Sequence, residues 1–115
     1  MHELAIAEAV IALVEDATPG QHVVTVTVEI GALSGVSREA LQFALPFAAE
    51  GTAGEKAVFD LIEVGGRAAC QECGTDFPVK SLYGLCACGS PRLTIIAGQD
   101  LVVRSIEVEE VVEHV

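Results

Sequence analysis

Residues 65–98 read GGRAACQECGTDFPVKSLYGLCACGSPRLTIIAG, and this stretch decides how the chain is organised. It holds all four cysteines. Cys70 and Cys73 form a CxxC followed by Gly74; Cys86 and Cys88 form a CxC followed by Gly89. In a CxxC turn two thiolates converge on one tetrahedral ion, and the following glycine relieves the tight backbone. Two such pairs, separated by a spacer of the length found in zinc ribbons, point to a metal, and first to Zn(II). A closed four-thiolate site has no open position, so its role is structural rather than catalytic. The CxC pair is one residue short, which narrows its bite. Three other chemistries share the pattern. A disulfide would need an oxidising compartment. A thioredoxin-like redox CxxC would sit beside a βαβ unit, and none is visible. Iron also binds four thiolates, and a colourless protein would exclude it. Glycines flank the module, Gly65-Gly66 before it and Gly98 after it, so residues 67–96 read as a small domain inserted between two strands of a main sheet.

Working outward, residues 22–30, HVVTVTVEI, alternate Val24, Val26, Val28 and Ile30 against Thr25, Thr27 and Glu29, the pattern of a half-buried strand. Residues 56–64, KAVFDLIEV, predict a second strand, and LVVRSIEVEEVV from Leu101 a third, fraying over its last residues. Residues 3–17 predict a helix with Leu4, Ala7, Ile11 and Val14 on its apolar face, ended by Thr18-Pro19-Gly20. Ser37 can cap a second helix over about 38–50, with Glu39 in its first turn and Leu41, Ala44, Leu45 and Ala48 facing inward. Pro46 lies inside that pattern and predicts a kink or an early end. Gly31-Ala32-Leu33-Ser34-Gly35 reads as a loop and Gly65-Gly66 as a hinge. The fold class is therefore α/β in the α+β sense: a small three-stranded sheet, two helices and an inserted zinc-ribbon-like domain. Residues 1–66 form the main domain, 67–96 the insertion, and 97–115 the strand that returns.

The chain has 17 Asp and Glu against 6 Lys and Arg, a net charge of −11. That argues against nucleic acid, whose phosphates require clustered Lys and Arg, and it suits a protein that handles cations or docks on a basic partner. No apolar run approaches the ~18 residues of a membrane span. The opening MHELAIAEAVIALVEDA lacks a basic n-region and a small-residue cleavage site, so a cytoplasmic protein with no membrane association is expected.

Met1-His2-Glu3 is a second candidate metal site. The α-amine of Met1, the His2 amide nitrogen and the His2 imidazole can close adjacent chelate rings, and the Glu3 amide or carboxylate can supply a fourth donor. Nitrogen-rich square-planar sites favour Ni(II) or Cu(II). The first N–H groups of a helix have no intrahelical partner, so using one as a ligand breaks no ladder. The plain alternative is a solvated terminal histidine. His22, at a strand start, and His114, in the acidic tail, read as structural or solvated.

Along nearly its whole length the chain resembles the HypA/HybF family of hydrogenase maturation nickel chaperones. The resemblance is carried by Met1-His2-Glu3-Leu4, by Gly31-Ala32-Leu33-Ser34-Gly35-Val36, and by the Cys70–Cys73 pair. It continues through Cys88-Gly89-Ser90-Pro91-Arg92-Leu93 and Ile95-Ile96-Ala97-Gly98 to Ser105-Ile106-Glu107-Val108-Glu109. Together these segments are specific, and none is so alone. The resemblance implies a nickel-binding α/β domain with a zinc domain inserted near its end. It implies that His2 ligates Ni(II) with Glu3 beside it, and that Cys70, Cys73, Cys86 and Cys88 bind Zn(II). As partners it implies the nickel-handling GTPase of the pathway and the immature large subunit of a NiFe hydrogenase; some members also serve urease. The protein itself is expected to be a monomer or a weak dimer. Two departures stand out: the CxC at Cys86–Cys88, where the family has CxxC, and Pro46.

The leading reading is a metal carrier without catalysis. Its rival is a zinc-ribbon interaction scaffold that carries no transferable metal, and the two differ at His2, which only the carrier needs. No Ser/His/Asp set, no Gly-rich phosphate loop and no open metal position beyond the N-terminus speaks for an enzyme.

Overall fold

The computed structural model describes residues 2–109. The Met1 ligand and the His114 assignment lie outside these residues, as does the expected fraying of residues 109–115 except at Glu109, which ends β6. The elements run α1 (His2–Ala17), β1 (His22–Gly31), α2 (Arg38–Ala49), β2 (Val58–Val64), β3 (Gly66–Cys70), β4 (Asp76–Val79), β5 (Leu93–Ala97) and β6 (Leu101–Glu109). They make two three-stranded sheets, ordered β2-β1-β6 and β4-β3-β5. The fold is thus α+β, two helices with small sheets, as the apolar periodicities predict. Among the described residues no helix is long and apolar enough to cross a membrane.

The chain divides into two compact units: residues 1–28, 37–61 and 103–115 form one, and residues 29–36 and 62–102 the other. In the first, α1 packs on α2. Its core comprises Ala7, Val10, Ile11 and Val14 of α1, Leu41, Ala44, Leu45 and Ala49 of α2, and Val23, Val26 and Val28 of β1, with Leu61. Three expected core positions shift. Leu4 is 41% exposed, and the buried stripe of α1 begins one turn later at Ala7 and takes in Val10. Ala49 is buried where Ala48 was expected, half-buried instead, because the stripe drifts across the last turn. Val24 is 41% exposed while Val23 is buried, so the two-residue alternation of β1 holds only from Val26 onward.

Ser37 caps α2 as expected: its hydroxyl accepts the Ala40 N–H at 3.2 Å. The helix does not end at Pro46 but at Ala49, where Gly51 takes a φ of +75° and the Thr52 N–H and hydroxyl both donate to the Ala49 carbonyl. Pro46 leaves the Gln42 carbonyl without its N–H partner, yet Gln42, Phe43, Pro46 and Phe47 are all exposed, so water can satisfy that carbonyl.

In the second unit β3 pairs antiparallel with both neighbours, Ala68 opposite Phe77 of β4 and Ile95 of β5. Pro78 is tolerated because β4 is an edge strand. The segment 31–36 is more than a loop. The Leu33 N–H donates to the Gly98 carbonyl at 2.7 Å, the Ala32 N–H to the Val64 carbonyl at 2.8 Å, and the Gly31 N–H to the Asp100 carbonyl at 2.9 Å. Gly31, Gly66 and Gly98 meet there backbone to backbone. A Cβ on Gly31 would collide with the Gly98 carbonyl, and one on Gly66 would stand 2.6 Å from Leu33 and 2.7 Å from the Val79 carbonyl. Gly66, expected in a flexible hinge, is instead buried and begins β3.

Candidate metal centre

β3 ends on Cys70, and the chain turns at once through Gln71–Gly74. The Gly74 N–H donates to the Cys70 carbonyl at 3.0 Å, with Gly74 at a φ of +75°. The Cys73 N–H points at Cys70 Sγ, 3.5 Å away. Before β5 a second turn holds Cys86 and Cys88. There the Gly89 N–H donates to the Cys86 carbonyl at 2.8 Å, with Gly89 at a φ of +90°, and the Cys86 N–H donates to the Ser90 carbonyl at 3.0 Å. The missing residue of the CxC is thus absorbed by a tighter turn, closed over four residues rather than five.

The two turns bring the four Sγ atoms within 4.8 Å of one another. Cys70 Sγ lies 3.7 Å from Cys88 Sγ, and Cys73 Sγ lies 3.5 Å from Cys86 Sγ. Four sulfurs at ~2.3 Å from one tetrahedral ion stand about 3.8 Å apart. The donor set therefore fits a single ion of zinc's size. Cys70 and Cys86 are buried, and Cys73 and Cys88 exposed.

The thiols are electrostatically unlike. A hydrogen bond at 3.2 Å joins Cys73 Sγ to the Thr75 hydroxyl, and with the Thr75 N–H it pulls the Cys73 thiol down to about 6. The Cys73 N–H lowers Cys70. Cys86 has the Cys88 N–H to lower it, but burial and the neighbouring thiols win and push it up to about 12. Cys88 is eased by the Ser90 N–H and the Cys86 thiol, yet it too is raised, by the Cys70 thiol and burial. Four sulfurs this close cannot all ionise alone, and a bound dication removes that conflict. Thr75 and the buried Ser90, whose hydroxyl accepts the Arg92 N–H at 3.1 Å, are supports that motif spacing did not reveal. A small hydroxyl residue just after each glycine was the available signal.

The other candidate residues lie apart from the cysteines in sequence and stand at the start of α1. His2 is exposed and Glu3 half-buried. Glu3 Oε2 accepts the Ser37 N–H at 3.4 Å. That hydrogen bond, then Glu3's own N–H, holds its carboxyl below the usual carboxylate range. In a capping box the residue three after the cap supplies this carboxylate. Here that residue is Ala40, and Glu3 of the other helix takes over. His22 is exposed at the start of β1.

A profile of the family described as "Hydrogenase/urease nickel incorporation, metallochaperone, hypA" matches residues 1–108. The chain belongs to the HypA family. HypA proteins are metallochaperones and not enzymes. The chain is 39% identical to the hydrogenase maturation factor HypA of Nostoc sp. over 111 residues, 96% of this chain and 98% of that one. It is 38% identical to HypA of Geobacter sulfurreducens over 110 residues, 95% of this chain and the whole of that one. The solution structure of the Ni metallochaperone HypA from Helicobacter pylori superposes with a TM-score of 0.68 at 25% identity, covering 92% of this chain and 96% of that one. A second HypA solution structure gives a TM-score of 0.71 at 24% identity, covering 95% and 97%, and so supports the HypA fold.

Proposed function

We propose that this protein carries Ni(II) on Met1-His2-Glu3 and delivers it during maturation of a NiFe hydrogenase, while Cys70, Cys73, Cys86 and Cys88 hold a structural Zn(II). The observation that carries the reading is the family match running from residue 1, across this tripeptide, to residue 108. With Met1 as the N-terminus, its amine, the His2 amide and the His2 imidazole chelate the cargo. The Glu3 amide nitrogen completes a planar set, leaving the Glu3 carboxylate free to keep its Ser37 contact. Such a set suits Ni(II). The exposure of His2 leaves it open for handing a cation on.

Zinc has a separate task. Its four thiolates leave no open position, so it ties β3 to the loop before β5 and is not passed on. Residues 1–66 with 97–115 then serve as the nickel domain and 67–96 as the zinc domain. The partners proposed are the nickel-handling GTPase of hydrogenase maturation and the large-subunit precursor of the hydrogenase, met in the cytoplasm.

The test is Ni(II) titration of His2→Ala against the wild type, with zinc measured in both. Tight nickel binding should be lost and zinc content unchanged. Equal nickel affinity would leave only the zinc-ribbon scaffold.

A further inference from the structure

The solvent side of α2 is built unlike a solvated helix face. Phe43 is 72% exposed and Phe47 58% exposed, with ring centroids 5.3 Å apart. They are half of the chain's four phenylalanines, and the buried face of α2 uses Leu and Ala instead. Pro46 lies on the same exposed side. Glu39, one turn before Phe43, and Glu50, just past Phe47, are exposed at the two ends of this stripe. The helix therefore has two apolar stripes on opposite sides. One faces the core, and the other is bare and closed at each end by a carboxylate. Glu39 to Glu50 spans about 16 Å of helix axis, the length of a short partner helix.

We propose that this stripe is a docking surface for an amphipathic segment of another protein, apolar along its contact line and flanked by Lys or Arg. Charge decides the occupant. Among the described residues, the unit that contains α2 holds 10 Asp and Glu against Arg38, Lys56 and Arg104. A second copy would bring the same carboxylates and the same net charge to the contact, and an anionic lipid surface would be repelled. A basic-flanked partner gains on both counts: the rings bury apolar area at the centre, and the carboxylates at the rim set register and speed encounter. Two aromatic rings already in contact lose little freedom on binding. The surface stands on α2 and does not depend on how nickel is held.

The test uses the whole, zinc-loaded protein and a synthetic helical peptide of about 18 residues carrying Leu at helical spacing, flanked by Lys. A peptide with Glu in place of Lys is the control. Amide chemical shifts should move on α2 around residues 39–50. F43S/F47S should weaken binding at least about tenfold, and E39Q/E50Q a few-fold with reduced salt dependence. These residues are exposed, so folding should be preserved, which circular dichroism of each variant checks. The proposal is overturned by equal binding of the Glu peptide, by wild-type affinity in F43S/F47S, or by no shift on α2 at millimolar peptide. A concentration-dependent dimer abolished by F43S/F47S would overturn it in favour of a second copy.

Discussion

Substituting Gly98 by alanine should cost this protein far more than the one added methyl suggests. Gly98 has a φ of +90°, and a Cβ there would stand 2.6 Å from Gly66 Cα and 2.9 Å from both the Gly65 carbonyl oxygen and the Gly66 nitrogen. Every one of these neighbours is backbone, so no side chain can swing aside. Left-handed backbone costs an alanine roughly 1–2 kcal/mol. Forcing an atom into close-packed surroundings adds roughly 1–3 kcal/mol. Together that is about 2–5 kcal/mol, a large share of the 5–15 kcal/mol that typically holds a domain folded. Gly35 separates the two causes. Its φ is +78°, but nothing lies within 4 Å of a Cβ placed on it, so Gly35→Ala should show the backbone cost alone. At about 4–8 °C per kcal/mol, the packing cost of roughly 1–3 kcal/mol should place Tm of Gly98→Ala on the order of 4–24 °C below that of Gly35→Ala. The chain has no Trp and one Tyr, so far-UV circular dichroism is the suitable probe. Equal melting of the two variants would refute the close-packed junction.

Two further outcomes concern the cysteine cluster. Stripping the metal with a chelator should unfold residues 67–96 first, because metal binding at such sites is also folding energy, while the helices keep their circular dichroism signal; four titratable thiols with no zinc in protein as isolated would contradict this. Stability of the metal-free form follows with opposite signs. The depressed Cys73 contributes above its ordinary value of 9 and loses that contribution as pH falls through about 6. The raised Cys86 contributes below 9 and loses it as pH rises through about 12.

Local pattern made most of the elements legible. The α1 stripe, the Ser37 cap and the run of β-branched residues in β1 each report a short-range preference that the tertiary structure did not override. The cysteine spacing likewise announced a cluster, although the spacing alone left open whether CxC could close; the tighter turn at Gly89 is the answer. Most of what could not be read turns on contacts between residues distant in sequence. Leu33 against Gly66, and Gly98 against both Gly31 and Gly66, turn a supposed loop and hinge into a packed junction. Glu3 reaching Ser37 makes a helix cap from a residue 34 positions away. The early end expected at Pro46 does not occur for a local reason, since the proline's cost depends on whether the freed carbonyl faces water. The exposure of Phe43 and Phe47 follows from the inward stripe of Leu41, Ala44 and Leu45, since at about 100° per residue the two rings fall on the opposite side of α2.

The central claim, that nickel is held by the N-terminal tripeptide with the chain's own α-amine as a donor, is tested most directly by Ni(II) titration at one pH. The untagged protein is compared with the same protein carrying a few extra N-terminal residues. An added residue turns the amine into an amide, a far poorer donor, so the extended protein should bind nickel much more weakly although His2 and all four cysteines are intact. Both should lose nickel in mild acid, as protons compete with the metal for its nitrogen donors. Equal affinities of the two proteins would contradict the account.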